Sequence, residues 1–418
     1  MIDLFVINSK KKKSLLVDGM WLLSQHGFKF VVSFFVTVFL ARYLGPENYG
    51  LFSLSIAYIL IFAIFSDLGI SNILVRDLVI VEKKEALLST AFILRILGGI
   101  ISIIFLVSFL NIFPQSSIIT KSLLILAPIL IFKSFNSFSD FFQSINKNKY
   151  LSIATIVSIL IGGALTYVFI ILEKSYFDFV FVYLLEFVIL SLLLWVFYIS
   201  VKNRLRLKFD KIIAKKILNE SWPLIIAGAS SIISTRVDQI FIGNMLSESV
   251  LGNYSVAAKI SEVWLILPMI YGRVVYPTLV EKRRINFKNY KKIIFSTISL
   301  FFVFGLFGAS LITYLSKDII SILFGDQYNL ASLYLSFYIW STLPYFTLFV
   351  LSQIFYIEKI TRYVIIVSIS SIILNILLNY FLINLYGALG AIIGTLIATI
   401  VSYLLTFIII RFKTDFFK

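Results

Sequence analysis

The chain has 418 residues, 60% apolar and 14% charged, with a formal net charge of +16. A soluble domain is about 45–50% apolar and about 25% charged, so a water-soluble globule is excluded; about 250 apolar residues instead fill roughly a dozen bilayer spans of about 20 residues each. No cysteine and a single histidine, His26, exclude disulfides, thiolate metal sites, cysteine nucleophiles and His-based triads.

In chain order, apolar runs between polar breaks predict helices over 16–42, 50–72, 87–111, 118–139, 150–172, 177–200, 220–245, 252–279, 293–315, 330–356, 363–384 and 387–410. These runs are long and lack period-two alternation, which excludes a porin-like barrel. Lys10-Lys11-Lys12-Lys13 precedes the first run without a cleavage-type end, so it reads as a cytoplasmic flank, not as a cleaved signal or a nuclear address. Basic residues then gather in every second loop: Arg76, Lys83 and Lys84; Lys147 and Lys149; Lys202 to Lys216; Lys282 to Lys292; Lys359 and Arg362; and Arg411, Lys413 and Lys418. Only Arg42, Lys121, Lys174 and Lys317 lie in the opposite loops. The positive-inside rule therefore places both termini in the cytoplasm and makes the basic charge topogenic, with no nucleic acid as partner.

A shift of 202 positions lays Phe39, Leu44, Gly50 and Ser53 on Phe241, Leu246, Gly252 and Ser255, with Phe52 on Tyr254. Each half then holds six spans, an even number, so the repeats run the same way through the bilayer, as in some secondary transporters. The expected fold is all-α and polytopic: a six-helix bundle over 1–201, a basic cytoplasmic linker over 202–216 and a second six-helix bundle over 217–418, around a central cavity.

Six cations lie inside predicted spans: Lys29, Arg95, Lys133, Arg236, Lys259 and Arg273. Four acids lie similarly deep: Asp67, Glu186, Asp238 and Glu262. Each costs about 2.5–3.5 kcal/mol at mid-helix, so these groups should face a cavity or each other. Helical spacing supports a cavity: Lys259, Glu262 and Arg273 fall within an arc of about 60°, Gln25, Lys29 and Ser33 recur at steps of four, and Lys133, Asn136, Ser137 and Asp140 form one polar stripe. Some of these charges can simply pair, as Lys259 and Glu262 could at three-residue spacing. The cations outnumber the acids, however, and a wet site of that sign suits an anionic ligand such as a phosphate group, whereas a cation exporter needs the reverse. His26 beside Gln25 reads as a polar contact before a proton site. The small-residue stripe Gly390, Gly394, Ala398 and Ser402 reads as helix packing, as does Ser158, Gly162 and Thr166. No Walker-type glycine run is present, so direct ATP hydrolysis and a nucleotide cofactor are not expected.

Arg42-Tyr43-Leu44-Gly45-Pro46-Glu47-Asn48-Tyr49-Gly50 resembles the hallmark of the first hairpin in the bacterial polysaccharide-export family, and Asp67-Leu68-Gly69-Ile70 with Asn72 and Arg76 resembles the end of its second span. Arg236-Val237-Asp238-Gln239, Leu251-Gly252-Asn253-Tyr254 and Leu323-Phe324-Gly325-Asp326-Gln327-Tyr328 resemble its Wzx-type O-antigen flippase members. The resemblance implies membership of the multidrug/oligosaccharidyl-lipid/polysaccharide exporter superfamily. It further implies alternating-access flipping of an undecaprenyl-pyrophosphate-linked repeat unit across the bacterial inner membrane, without covalent chemistry. On this reading Lys29, Lys133, Arg236, Lys259 and Arg273 line the vestibule. Uphill work would draw on an H+ or Na+ gradient, with Asp67 or Glu186 as coupling sites, and a polysaccharide polymerase is a candidate partner. The alternatives are a drug or cation antiporter of the same superfamily, which needs a mainly acidic cavity, and a membrane polymerase. The longest outward loop, about Ser316–Asn329, is short for a polymerase.

Overall fold

The structure, a computed structural model, describes residues 9–81, 84–202 and 207–416. The described residues are overwhelmingly helical and contain no strand. The helices are α1 (Ser9–Asp67), α2 (Ser71–Ile80), α3 (Lys84–Ile112), α4 (Ser117–Leu126), α5 (Ile129–Phe132), α6 (Asn136–Ser144), α7 (Asn148–Ile171) and α8 (Tyr176–Lys202). They continue as α9 (Lys211–Met245), α10 (Glu248–Trp264), α11 (Ile266–Ile285), α12 (Phe287–Phe324), α13 (Asn329–Tyr338), α14 (Thr342–Ile357), α15 (Arg362–Tyr386) and α16 (Ala388–Lys413).

The first two predicted spans fall on α1, separated by a break at Gly45, whose φ of 73° and ψ of 171° are not helical, and the second ends at Asp67, short of the predicted residue 72, where Leu68 and Gly69 take positive φ. The residue before a proline is pushed out of the helical region, and Pro46 restarts the helix at the position where a missing N–H costs nothing. Three predicted spans are broken rather than continuous. The fourth divides into α4, α5 and α6 with a 3-10 turn over Lys133–Phe135, next to Pro128. The tenth divides into α13 and α14 across a 3-10 turn at Ile339–Ser341, just before Pro344. A proline cannot donate to the carbonyl four residues back, so each chain tightens or bends there. The eighth splits into α10 and α11 at Leu265, leaving Pro268 in the tolerant first turn of α11. The seventh is α9, bent by 43° between Lys211–Ser230 and Ile232–Met245.

Two compact units form. One contains the chain up to Tyr43 together with Tyr58–Gly228; the other contains Leu44–Ala57 together with Ala229 onward. In the first unit the core is aromatic: Phe138 of α6 packs 5.4 Å from Trp195 and 4.8 Å from Tyr198 of α8, and touches Phe92 of α3 at 5.2 Å. Ile70, Leu74 and Leu78 of α2 close it together with Ala214 and Ile217 of α9. In the second unit Tyr290, Ile294 and Phe301 of α12 pack with Phe346, Val350 and Ile354 of α14 and Ile410 of α16. The small-residue stripe of α16 lies on α15: a Cβ on Gly390 would strike the Leu382 carbonyl, and one on Gly394 would stand 3.3 Å from Leu378 Cβ. Large apolar side chains such as Ile100, Ile104 and Phe105 of α3 and Val303 and Phe307 of α12 remain exposed, as lipid-facing surfaces require.

The tip of the first hairpin and its repeat partner meet reciprocally inside the second unit. A Cβ on Gly50 would run into the Glu248 carbonyl, and one on Gly252 into the Pro46 carbonyl. Residues 46 and 248 are separated by the same 202 positions as residues 50 and 252. The sequence repeat therefore has a structural counterpart: two equivalent glycines, each held against the other repeat's backbone where no side chain fits.

Ion pairs in the predicted cytoplasmic loops stitch each unit. Asp77 of α2, buried, accepts from Arg76 Nε at 2.7 Å and from Lys216 Nζ of α9 at 2.9 Å, while Arg76 also pairs with Glu220. In the second unit Arg283 holds Glu358 in a two-pronged pair at 2.6 and 2.9 Å, which raises the guanidinium pKa further above its ordinary value. Asp77→Ala leaves two cations facing a vacated site. It should cost about 2 kcal/mol and lower the Tm of the detergent-purified protein by a few degrees, read by a thermal shift assay.

Candidate functional site

The in-span charges fall into two clusters, one in each unit. In the first, Arg95 of α3 is fully buried and joins four side chains from three helices. Its Nη1 lies 2.8 Å from Asp140 Oδ2 and donates to Ser137 Oγ at 3.0 Å, both on α6. Its Nη2 lies 3.2 Å from Asp67 Oδ1 at the end of α1 and donates to Ser71 Oγ of α2 at 2.7 Å. The glycine pair one turn along α3 makes this reach possible. A Cβ on Gly98 would stand 2.7 Å from the Phe65 carbonyl, and one on Gly99 2.5 Å from that of Leu130, so α3 lies tight against α1 and α5.

Lys133 and Lys29 stand at the edge of this cluster. Lys133 is half-buried in the 3-10 turn, within electrostatic range of Asp67, Arg95 and Lys29. Lys29 on α1 is exposed and is the cation that acts on Glu186. Glu186 of α8 faces Gly162 of α7, where an added Cβ would stand 3.3 Å from its Oε2; the small residue makes room for the carboxylate. Gln25, on the same α1 stripe as Lys29, is buried and spent on α7: it donates to Thr155 Oγ1 at 3.0 Å and accepts from Ser152 Oγ at 3.1 Å. Nearer the start of α1, Asp18 accepts from the Asn148 N–H at 2.7 Å. His26 is exposed.

In the second unit Arg236 of α9 sits 3.6 Å from Glu262 of α10, and both remain partly exposed. Two residues on, Asp238 is buried and accepts from the Tyr254 hydroxyl of α10 and from the Gln239 N–H. Tyr338 of α13 closes the group, its ring 5.6 Å from that of Tyr254. Lys259 of α10 is half-buried. The Arg273 side chain lies outside the described residues.

The structure adds Asp140, Ser71 and Ser137 to the first cluster and Tyr254 and Tyr338 to the second. Ser137 and Asp140 were visible as a polar stripe with Lys133, but the 3-10 turn changes the register, so the lysine stands apart while Ser137 and Asp140 point to Arg95. Counting Asp140 with the deep acids narrows the cation excess read from the sequence to a single charge. Among the described residues no three His, Cys, Asp or Glu side chains gather as metal ligands.

This helical architecture is shared with known transporters. The inward closed lipid II flippase MurJ matches with a TM-score of 0.75 at 18% identity over 94% of this chain and 87% of that one. An inward-facing multidrug resistance MATE family transporter of the MOP superfamily matches at 0.68 and 14%, over 91% and 94%. A MOP superfamily transporter from Pyrococcus furiosus, described as having a binding pocket of reversed polarity, matches at 0.56 and 15% over 96% of both chains. No curated protein sequence matches the chain. The MatE family model matches residues 223–381. The family model described as polysaccharide biosynthesis protein matches residues 15–283, well over half of the chain, and the chain therefore belongs to the polysaccharide biosynthesis protein family.

Proposed function

We propose that this protein flips lipid-linked oligosaccharide repeat units, carried on undecaprenyl pyrophosphate, from the cytoplasmic to the outer leaflet of a bacterial inner membrane, for O-antigen or a related surface polysaccharide. The observation that carries the reading is the reach of Lys29 and Lys133. Arg95 is consumed by Asp67 and Asp140, which leaves Lys29 exposed and Lys133 half-buried at the edge of the cluster. Arg236 and Lys259 supply half-exposed cations in the second unit, with Arg273 the remaining candidate. A pyrophosphate crossing hydrocarbon needs such groups, because its desolvation must be offset by charge-assisted hydrogen bonds.

In this reading Arg95 is part of the framework: the guanidinium is fully buried and both Nη atoms are held by polar partners. Asp238 likewise holds Tyr254 and Gln239 in place, and Glu262 restrains Arg236. Glu186 and Asp67 remain the candidates for H+ or Na+ coupling, Glu186 first, because Arg95 already holds Asp67. The prenyl tail stays in lipid while the polar head moves by alternating access, so no bond is made or broken. The family model for polysaccharide biosynthesis and the similarity to a lipid II flippase support this reading, while the MatE model and the multidrug MATE transporters support drug export, the alternative that the resistance assay tests. A polysaccharide polymerase remains a candidate partner.

The test is repeat-unit export in a strain lacking its own flippase. Lys29→Glu and Lys133→Glu should each lower export by about tenfold or more, the worth of one charged hydrogen bond to phosphate, while membrane level and Tm stay near the parent's. Overexpression should leave resistance to cationic drugs unchanged. Full export by both lysine variants, or new drug resistance, defeats the reading.

A further inference from the structure

The start of α9 carries a surface that the transport path does not use. Its buried face is Ala214, Ile217 and Ser221, packed into the first unit's core. Its acid, Glu220, is taken by Arg76, and Lys216 is taken by Asp77. Asp210 caps the first turn, its Oδ1 accepting from the Ile212 and Ile213 N–H groups at 2.9 and 3.2 Å, so the helix end is itself satisfied. What remains is an exposed arc of about 120° in which Lys211, Lys215 and Asn219 alternate with Ile212, Leu218 and Trp222. The apolar members are openly displayed, Ile212 at 83% and Trp222 at 59% exposure, and Lys211, Ile212, Lys215, Lys216 and Asn219 line a shallow, open cleft.

This mixture fits neither bulk water nor hydrocarbon. A water-facing surface would not display Ile212 and Trp222, and an acyl-facing one would not hold two lysines. It fits the layer between them, where indole rings and lysine stems sit at headgroup level. Position agrees: Lys211–Asn219 immediately precede the predicted seventh span, 220–245, so this segment of α9 lies where the chain enters the membrane. The lysine-rich flank lies on the cytoplasmic side by the distribution of positive charge.

We propose that the first three turns of α9 form a binding surface for anionic phospholipid in the cytoplasmic leaflet, with Lys211 and Lys215 holding the headgroup phosphate in the cleft and Ile212, Leu218 and Trp222 lying among the upper acyl carbons. Asn219 offers its amide to the same phosphate. The phosphodiester of phosphatidylglycerol is the committed ligand. The surface rests on the membrane-spanning fold alone, so it stands or falls independently of what the protein carries.

The chain has no cysteine, so Ile212→Cys gives one unique site for a bimane fluorophore on the proposed surface. The full-length labelled protein is reconstituted in mixtures of brominated phosphatidylglycerol and phosphatidylcholine, and quenching by each lipid is compared. Each lysine near an anionic surface favours it by about fivefold at low salt, so quenching should report a phosphatidylglycerol preference of about fivefold to twentyfold that shrinks in high salt. Adding Lys211→Ala and Lys215→Ala should bring the preference close to one with Tm unchanged. Equal quenching by the two lipids, no quenching by either, or a preference that survives both lysine substitutions overturns the proposal. Displacement of phosphatidylglycerol by a trace of polyprenyl phosphate overturns it too, assigning the cleft to the transported lipid instead.

Discussion

Arg95→Met should remove most folded protein from the membrane. The substitution deletes a guanidinium that is 0% exposed and leaves Asp140, 7% exposed, and Asp67 with no cation in contact. Removing one partner of a buried ion pair costs about 3–5 kcal/mol, because the survivor stays charged and desolvated. That is a large share of the about 5–15 kcal/mol that holds a protein folded. Two further hydrogen-bonding groups, Ser71 and Ser137, lose their donor in the same step. Arg95→Lys should be intermediate, since a point charge cannot span Asp140, Asp67, Ser71 and Ser137 as the planar fork does. The measurement is the monodisperse fraction and Tm in detergent. The triple change Arg95→Met, Asp140→Leu and Asp67→Asn should recover most of the folded protein, because an uncharged, well-packed core can equal a buried ion pair. If the triple variant folds and also exports, Arg95 serves the framework alone; if it folds and is inert while Asp67→Asn alone still exports, the Arg95–Asp140 pair serves transport beyond the framework.

The second large effect should come from Gly50 and Gly252. Each sits where a Cβ would collide with a backbone carbonyl, of Glu248 and Pro46 respectively, and a backbone atom cannot swing aside as the tip of a side chain can. Overfilling a packed contact costs about 1–3 kcal/mol for a small addition and more for a bulky one. Gly252→Ala should therefore lower Tm by several degrees, and Gly252→Leu should eliminate export in the complementation assay. The equivalence of the two positions adds a sharper expectation: Gly50→Ala should match Gly252→Ala in both readouts. Alanine variants indistinguishable from the parent would show that the hairpins have room to part at no cost.

The transmembrane class, the all-α fold and the repeat were legible in the sequence because they rest on summed properties. A 20-residue apolar run and the side preference of lysine survive errors at single positions. The Gly50–Gly252 repeat was legible for another reason: no other residue fits where two backbones touch. The breaks in the fourth, eighth and tenth spans were less so. Pro128, Pro268 and Pro344 announce a disturbance, but neighbours decide whether the chain kinks, tightens into 3-10 geometry or simply restarts. Least legible was the partnering of charge. Lys29, Lys133 and Arg95 look alike as cations inside apolar runs, yet Arg95 is enclosed by acids and Lys29 is exposed. The difference is set by Asp140, 45 residues from Arg95, which spacing along one helix cannot reveal. Asp238 illustrates the same limit, since its partner Tyr254 lies on the next helix.

The membership of Leu44–Ala57 in the second compact unit constrains biosynthesis. These fourteen residues leave the ribosome long before Ala229 does, and they must wait in the membrane, apolar faces uncovered, until their neighbours are translated. A gene cut just ahead of Ala229 would deliver a C-terminal product missing an early-made piece of its own interior. Two separately expressed fragments should then mature only when made in the same cell, with the late fragment degraded when produced alone.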